Sequence, residues 1–288
     1  MLFIFPSNPI APRLVDEHFE PEAIAARAAG HSIAVVDHDA LCRSAAEEAV
    51  RWIPRPDEGA RTSTALYRGW MLTVRQYTDF AAAAAQRGVT LLTSPSSFEN
   101  AHWLPRWYDA LSRFTPHSVW TDGPDLDAFE ACCSRLGSGP AVLRDYVKSL
   151  KHSWAEASYV PDAANLPAAR AVARRFLELR GEDFAGGLVV RAFEQFTTTE
   201  ARTWWVHGQC ILVTAHPDTP GDLPTGTNLQ SIASTVAALD LPFVTVDLVL
   251  RADGVWRVVE LGDGQVSDRP KSTSPATFIA AIAGALGD

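Results

Sequence analysis

The stretch Pro242-Phe243-Val244-Thr245-Val246-Asp247-Leu248-Val249-Leu250-Arg251-Ala252-Asp253-Gly254-Val255-Trp256-Arg257-Val258-Val259-Glu260, running on into Leu261-Gly262-Asp263-Gly264-Gln265, carries the chain's clearest structural signal. Two β-branched and aliphatic runs flank an Asp-Gly pair, the strongest short-range signature of a tight two-residue turn. With Asp253 and Gly254 as that turn, Asp247 faces Glu260 across the hairpin. Directly opposed side chains share one sheet face with Cβ atoms about 5 Å apart. Two carboxylates repel there unless a cation lies between them. Oxygen ligands point to Mg²⁺, commonly held by one or two carboxylates plus substrate phosphates. The alternative is an edge carboxylate turned to solvent, but both strands otherwise read as core. The hairpin reads as a metal–nucleotide site.

Upstream of it, the first third of the chain alternates strand and helix signals. A strand over residues 2–5, a helix over 21–29 stopped at Gly30 and a strand over 32–36 come first. An Ala-rich helix over 76–87 stops at Gly88, a strand follows over 89–92, and a further helix is expected over 98–114. This order predicts a parallel sheet with helices on its faces. Pro116 punctuates the pattern, which predicts an N-terminal α/β domain over residues 1–115 and a second domain over 116–288. The second part reads as α+β: a helix over 125–136, strands over 141–146 and 187–196, a helix over 163–179, a hairpin about Gly208, the Asp247 hairpin and a closing helix over 275–286.

At 288 residues with 47% hydrophobic content the chain can bury a sizeable core. A net charge of −9 argues against a general nucleic-acid binder, which needs a basic stripe. No apolar run approaches the roughly 18 residues of a membrane span. Cys42, Cys132, Cys133 and Cys210 lack metal-ligand spacing, so reduced packing cysteines and a cytoplasmic location are expected.

No P-loop string and no G-x-S-x-G string occurs. A basic cluster does: Arg144-Asp145-Tyr146-Val147-Lys148-Ser149-Leu150-Lys151 places cations at a strand end, where they hold a polyphosphate or form a solvated loop. The Asp247 hairpin tips that balance toward phosphate. The strand through Arg191, Phe193 and Glu194 must put its charges on a polar face or into a site. In Tyr67-Arg68-Gly69-Trp70, Arg68 either binds a substrate carboxylate or forms a structural salt bridge.

These residues resemble the ATP-grasp superfamily, and within it the clade named for one arginine and two lysines. The strings that carry the resemblance are Tyr67-Arg68-Gly69-Trp70, Arg144-Asp145-Tyr146-Val147-Lys148-Ser149 and Val259-Glu260-Leu261-Gly262-Asp263-Gly264-Gln265-Val266-Ser267. It implies a preceding α/β domain and an ATP-grasp domain of two α+β subdomains that clasp ATP. It also implies phosphate contacts from Arg144, Lys148 and Ser149, which Lys151 of the basic cluster is expected to join, adenine contacts around Glu194, Gln195 and Phe196, and a ribose contact from Glu200. Asp247 and Glu260 match the Mg²⁺ ligands. Where the superfamily carries Asn two residues after the second acid this chain has Gly262, and Asp263 is the expected substitute.

The implied activity is ADP-forming carboxylate–amine ligation through an acyl phosphate, with ATP and Mg²⁺ as cofactors and a small carboxylic acid and an amine as substrates. Arg191 and Arg202 are the expected cations around the transferring phosphoryl group, and Arg68 or Arg269 the holder of a substrate carboxylate. Two other readings stay open: a phosphotransferase on the same scaffold, and a nucleotide-binding interaction protein without ligase activity.

Overall fold

In the computed structural model, which describes residues 1–55 and 63–287, the chain begins with β1 (Leu2–Pro6), α1 (Glu20–Ala28), β2 (Ser32–Val36), α2 (His38–Cys42) and α3 (Ala46–Ala49). β3 (Ser63–Tyr67), α4 (Val74–Gln86), β4 (Val89–Leu91), α5 (Pro95–His102) and α6 (Leu104–Leu111) follow. Next come β5 (Ser118–Trp120), α7 (Leu126–Leu136), β6 (Ala141–Arg144), β7 (Tyr159–Val160), α8 (Leu166–Arg180) and β8 (Val189–Ala192). The chain closes with β9 (Ala201–Val206), β10 (Gln209–Ala215), α9 (Ala233–Ala238), β11 (Phe243–Leu250), β12 (Trp256–Asp263) and α10 (Pro275–Ala285). The single helix expected over 98–114 is two, because Trp103 adopts an extended conformation (φ −83°, ψ 114°) ahead of Pro105, as a residue near a helix-starting proline does. No helix among the described residues is long and apolar enough to cross a membrane.

Contacts group the chain into two discontinuous units: Met1–Ala101 with Thr199–Leu248 and Glu260–Asp288, and His102–Thr198 with Val249–Val259. The region expected as one domain from residue 116 onward is thus shared between them.

The first unit holds a parallel sheet in the order β2-β1-β3-β4 and most of an antiparallel sheet in the order β10-β9-β11-β12, the hairpin segment Val249–Val259 being counted with the second unit. On one side of the parallel sheet, Ile4, Val36 and Tyr67 pack on Tyr77 and Phe80 of α4. A capping box between Thr73 and Gln76 fixes the start of that helix. On the other side, Phe3, Phe5 and Leu66 pack with Trp204 and Val206 of β9, Phe243 of β11 and Phe278, Ile279 and Ile282 of α10. The antiparallel sheet therefore buries one end of this face in the core. At the β9–β10 turn His207 (φ 46°) and Gly208 (φ 74°) both take the left-handed conformation that a two-residue hairpin turn demands.

The second unit holds the antiparallel sheet β5-β8-β6-β7. Leu143, Val190 and Leu188 pack on Phe129 and Cys133 of α7 and Ala169, Ala173 and Phe176 of α8. Asp125 caps α7 and Asn165 caps α8.

The tip of the β11–β12 hairpin differs from expectation. Arg251 N donates to Val255 O and Gly254 N to Arg251 O, both at 2.9 Å. The loop is therefore three residues, Ala252 to Gly254, with Gly254 left-handed at φ 83°. A type I turn closed by a left-handed glycine is the usual three-residue solution. At the opposite end of the hairpin Gly264 N donates to Phe243 O at 3.0 Å, the register a two-residue turn would give. The one-residue offset is absorbed along the ladder.

Candidate functional site: a charged end of the antiparallel sheet

Side chains alternate along strands, so Phe243, Thr245 and Asp247 share one face of β11. Their partners across the ladder are Val206, Trp204 and Arg202 of β9. That face is apolar where it enters the core and charged at its other end. Arg202 donates from Nε to Asp247 Oδ1 at 2.9 Å and from Nη2 to Oδ2 at 2.8 Å, and its Nη1 reaches Asp268 O at 3.2 Å. Asp247 is 2% exposed. Burial works to lower the Arg202 pKa, but the charge and hydrogen bonds of Asp247, with Glu260 and Glu200 beyond, outweigh it and raise it.

His216, the residue after β10, joins this end because the β9–β10 register runs on by one pair, with His216 N donating to Glu200 O. Its Nδ1 accepts from Asp218 N at 3.1 Å, and its Nε2 is turned toward the Arg202–Asp247 pair. That nitrogen lies 3.7 Å from Glu200 Oε2, 3.6 Å from Asp247 Oδ2 and 2.9 Å from Arg202 Nη2. One ligand atom each from Glu200, His216 and Asp247 fall within 4.8 Å of one another. Sequence reasoning misses His216, although extending the hairpin about Gly208 by one pair finds it.

Glu260 lies on the same face. A Cβ built on Gly262 would approach Thr245 Oγ1 to 3.3 Å and Ser267 Oγ to 3.6 Å, so residue 262 points toward Thr245. Glu260, two residues earlier, points with it. The place where an asparagine was expected is a small gap bordered by two hydroxyls, which hydrogen-bond each other at 2.8 Å. Carboxylates and hydroxyls are the donor chemistry Mg²⁺ requires, so these residues fit that ion once Arg202 releases one Asp247 oxygen.

Asp263 does not belong to this set. One residue out of phase with Gly262, it faces away, is 1% exposed and accepts from Gln265 N at 2.8 Å. Burial drives its pKa up to about 7, against the opposing pull of Gln265, Thr93 and Arg68. The expectation that it replaces the missing asparagine is corrected on that ground.

The two candidate holders of a substrate carboxylate are also structural. Arg68 is fully buried; it donates to Glu22 from Nε (3.0 Å) and Nη2 (3.2 Å), and from Nη1 to the carbonyls of Gly264, Gln265 and Ser267. Of the two readings open for Arg68, the salt bridge is the one realised. Arg269 donates to Glu22 as well (3.3 Å) and to the carbonyls of Pro270 and Thr273. Arg191, expected near the phosphoryl group, is 6% exposed and donates to the carbonyls of Val258 and Val259 and to Thr115 Oγ1. It anchors β8 within the second unit.

That unit carries the basic cluster. Arg144, 6% exposed, donates to Val147 O at 2.5 Å. Asp145, unexpected from sequence, organises the turn: Oδ1 accepts from Val147 N (2.7 Å) and Lys148 N (2.6 Å), Oδ2 from Arg180 Nε (2.9 Å) and Ala185 N (3.3 Å). Lys148 is exposed, and Ser149 bridges back to Arg144. Lys148 and Lys151 are two of only three lysines in the chain. Glu194 is held by Arg257 (2.8 Å) and Arg251 (3.1 Å). Its carboxylate is therefore structural, while Gln195 and the exposed Phe196 lie along the same segment, paired with Ala252 and Arg251.

A family model for the ATP-grasp domain, family 3 of the clade named for one arginine and two lysines, matches residues 135–282. No curated protein matches the chain in sequence. Among solved structures, a RimK domain protein ATP-grasp from Sphaerobacter thermophilus DSM 20745 is similar over the full length of both chains, with TM-score 0.63 and 18% identity. The ATP-grasp ligase PsnB, solved with a minimal precursor, Mg and ADP, has TM-score 0.58 and 15% identity, covering 100% of this chain and 98% of its own. The D-alanyl-alanine synthetase A of Vibrio cholerae O1 biovar eltor str. N16961 has TM-score 0.56 and 10% identity, covering 100% and 98%. At these identities the likeness is one of fold.

Proposed function

The chain belongs to family 3 of the arginine-and-two-lysines clade of ATP-grasp domains, and from that premise we propose that it is an ATP-dependent, ADP-forming ligase joining a carboxylate to an amine. One observation carries the reading. Around Arg202, a single formal positive charge, stand three carboxylates, Asp247, Glu260 and Glu200. That excess of negative charge is what a divalent cation balances, in a chain whose fold is shared with a ligase solved with Mg and ADP.

In this reading Asp247 and Glu260 hold Mg²⁺, with the hydroxyls of Thr245 and Ser267 beside them. Held there, Mg²⁺ would supply positive charge against the negative charge developing on the transferred phosphoryl group. Arg202 keeps Asp247 oriented and adds its own positive charge to the same end. Lys148 and Lys151 supply ammonium groups on flexible stems for phosphate oxygens, and Asp145 presents the Lys148 backbone in a fixed turn. Glu200 accepts from ribose hydroxyls. No side chain acts as a covalent nucleophile: a substrate carboxylate takes the γ-phosphoryl group, and the amine displaces phosphate from the acyl phosphate.

The test is ADP and phosphate release across panels of carboxylic acids and amines. Release in equal amounts with a coupled product, and only with both partners present, is expected. AMP and pyrophosphate, or a stable phosphorylated product indifferent to amines, would overturn the assignment.

A further inference from the structure

One buried histidine takes no part in the reading above. Glu200 directly precedes β9, His216 directly follows β10 and Asp247 lies in β11, three neighbouring strands of one sheet in the first unit. The main chain fixes where they stand. His216 N donates to Glu200 O and Thr219 N to His216 O, while Asp247 pairs with Arg202 in the ladder between β9 and β11. His216 and Asp247 are 7% and 2% exposed, and Glu200 is partly open to solvent. A buried imidazole and a buried carboxylate thus meet a carboxylate that solvent can reach.

Their spacing suits a single metal ion. His216 Nε2 lies 3.7 Å from Glu200 Oε2 and 3.6 Å from Asp247 Oδ2, and one ligand atom from each residue lies within 4.8 Å of the others. Donor atoms about 2.1 Å from one ion stand about 3.0–3.5 Å apart in an octahedral or tetrahedral shell. The two distances from His216 exceed that by only a few tenths of an ångström. Among the described residues this is the one group of three converging metal-capable atoms. Behind it stands Asp218, whose Oδ2 is 3.5 Å from His216 Nδ1. With a cation on Nε2 the ring proton belongs on Nδ1, and a carboxylate that accepts it is the usual support of a metal-bound histidine.

Arg202 closes this corner, yet its fit to His216 is poor. A guanidinium offers donors only, and a neutral imidazole accepts at one nitrogen and donates at the other. Both ring nitrogens of His216 face a donor: Nε2 has Arg202 Nη2 at 2.9 Å and Nδ1 has Asp218 N at 3.1 Å. Whichever nitrogen holds the proton, one of these contacts sets donor against donor. Asp247 Oδ1 and the Asp268 carbonyl keep Arg202 in place when Nη2 turns from His216. The histidine also decides which ion fits. Mg²⁺ takes oxygen ligands, whereas imidazole favours divalent ions of the first transition row.

We propose that Glu200, His216 and Asp247 form a nitrogen-containing site for a divalent first-row transition ion such as Mn²⁺, filled without nucleotide. It is distinct from the all-oxygen Mg²⁺ position of Asp247 and Glu260 and shares Asp247 with it. Glu200 gives Oε2 to this ion and keeps its other oxygen for the ribose. The inference rests on this sheet end alone and not on the ligase reading.

The experiment adds Mn²⁺ to the full-length protein, without nucleotide or substrate, and follows it by EPR, continuous-wave for affinity and pulsed for the ligands. Saturable binding with the nitrogen modulation of a single imidazole is expected, displaced only by Mg²⁺ in roughly tenfold excess or more. His216→Gln should lose the modulation and weaken Mn²⁺ binding about tenfold or more. Asp218→Asn, at an exposed side chain, should keep the modulation and weaken binding up to about tenfold, as loss of a supporting carboxylate does. Mn²⁺ held through oxygens alone in the wild type, modulation that survives in His216→Gln, Mg²⁺ competing on equal terms, affinity unchanged in both variants or no saturation at millimolar Mn²⁺ would each overturn the site. The wild-type spectrum reports the nitrogen directly, so the test stays decisive even if His216→Gln fails to fold. Absence of ADP release with every substrate pair would sink the ligase reading and leave the EPR result standing.

Discussion

Arg68 and Arg202 sit almost equally far from one ring: their guanidinium carbons lie 5.9 Å and 6.0 Å from the Trp204 centroid. Both are buried, and both follow or lie in a strand. Their surroundings decide their roles. Arg68 shares the single carboxylate of Glu22 with Arg269 and completes its hydrogen bonding with three main-chain carbonyls. No surplus of negative charge is left there for a cation to balance. Arg202 is outnumbered by Asp247, Glu260 and Glu200, with His216 alongside. A buried arginine marks a cation site when its neighbours leave negative charge over, and marks a joint when they do not.

Breaking the joint gives the largest expected effect. Arg68→Met leaves Glu22 and three carbonyls with unmet hydrogen-bonding capacity, and loss of one partner of a buried pair costs about 3–5 kcal/mol. The thermal midpoint should fall steeply and should not recover with Mg²⁺. Arg202→Met leaves an acidic cluster that a divalent cation can enter, so millimolar Mg²⁺ should recover part of its lost stability. An equal Mg²⁺ response from the two variants would erase the distinction between them.

Asp263 offers a second contrast, since it lies next to the site in sequence and outside it in space. Its folded pKa, near 7, stands above the unfolded carboxylate value. A raised carboxylate favours the folded state while protonated. Stability from this group is therefore full below about pH 4 and is lost as pH rises toward 7, by an amount on the order of a few kcal/mol. Asp263→Asn should flatten that part of the stability–pH curve, read by urea denaturation at pH 5 and pH 8. An unchanged slope would show that Asp263 is ionised throughout.

How much of this is legible in the sequence follows from the range of the interactions. Strand–turn signals act locally, so β11, the start of β12 and the β9–β10 hairpin are expected within a residue or two, and alternation alone puts Asp247 on the face opposite to Val244, Val246 and Leu248. The hairpin tip is misjudged by one residue because Asp-Gly serves both two-residue and three-residue turns. The roles of Arg68 and Arg191 are not readable. Each depends on carbonyls far along the chain, Gly264 to Ser267 for one and Val258 and Val259 for the other. Asp263 needs only strict period-two counting from Glu260, which excludes it. Asp145 is visible beside Arg144, but its four partners include Arg180 and Ala185, which only the fold brings close.

A smaller effect distinguishes the turn from the charge it carries. Lys148 is exposed and Asp145 is buried, so Lys148→Ala should leave the thermal midpoint of the protein within experimental scatter. ATP affinity should weaken about tenfold, near the 1.4 kcal/mol of one modest charged contact. Unchanged affinity by calorimetry would remove Lys148 from the phosphate site.

The most direct measurement is calorimetric titration of ATP into wild type and Glu260→Gln, each with and without Mg²⁺. Glu260 is half-buried, and the substitution keeps its shape while removing one negative charge from the cluster. Tight binding by wild type that requires Mg²⁺, with the Mg²⁺ dependence largely lost in Glu260→Gln at an unchanged thermal midpoint, is the predicted result. Equal ATP affinity and equal Mg²⁺ dependence in the two proteins would contradict the assignment of this sheet end as the metal–nucleotide site.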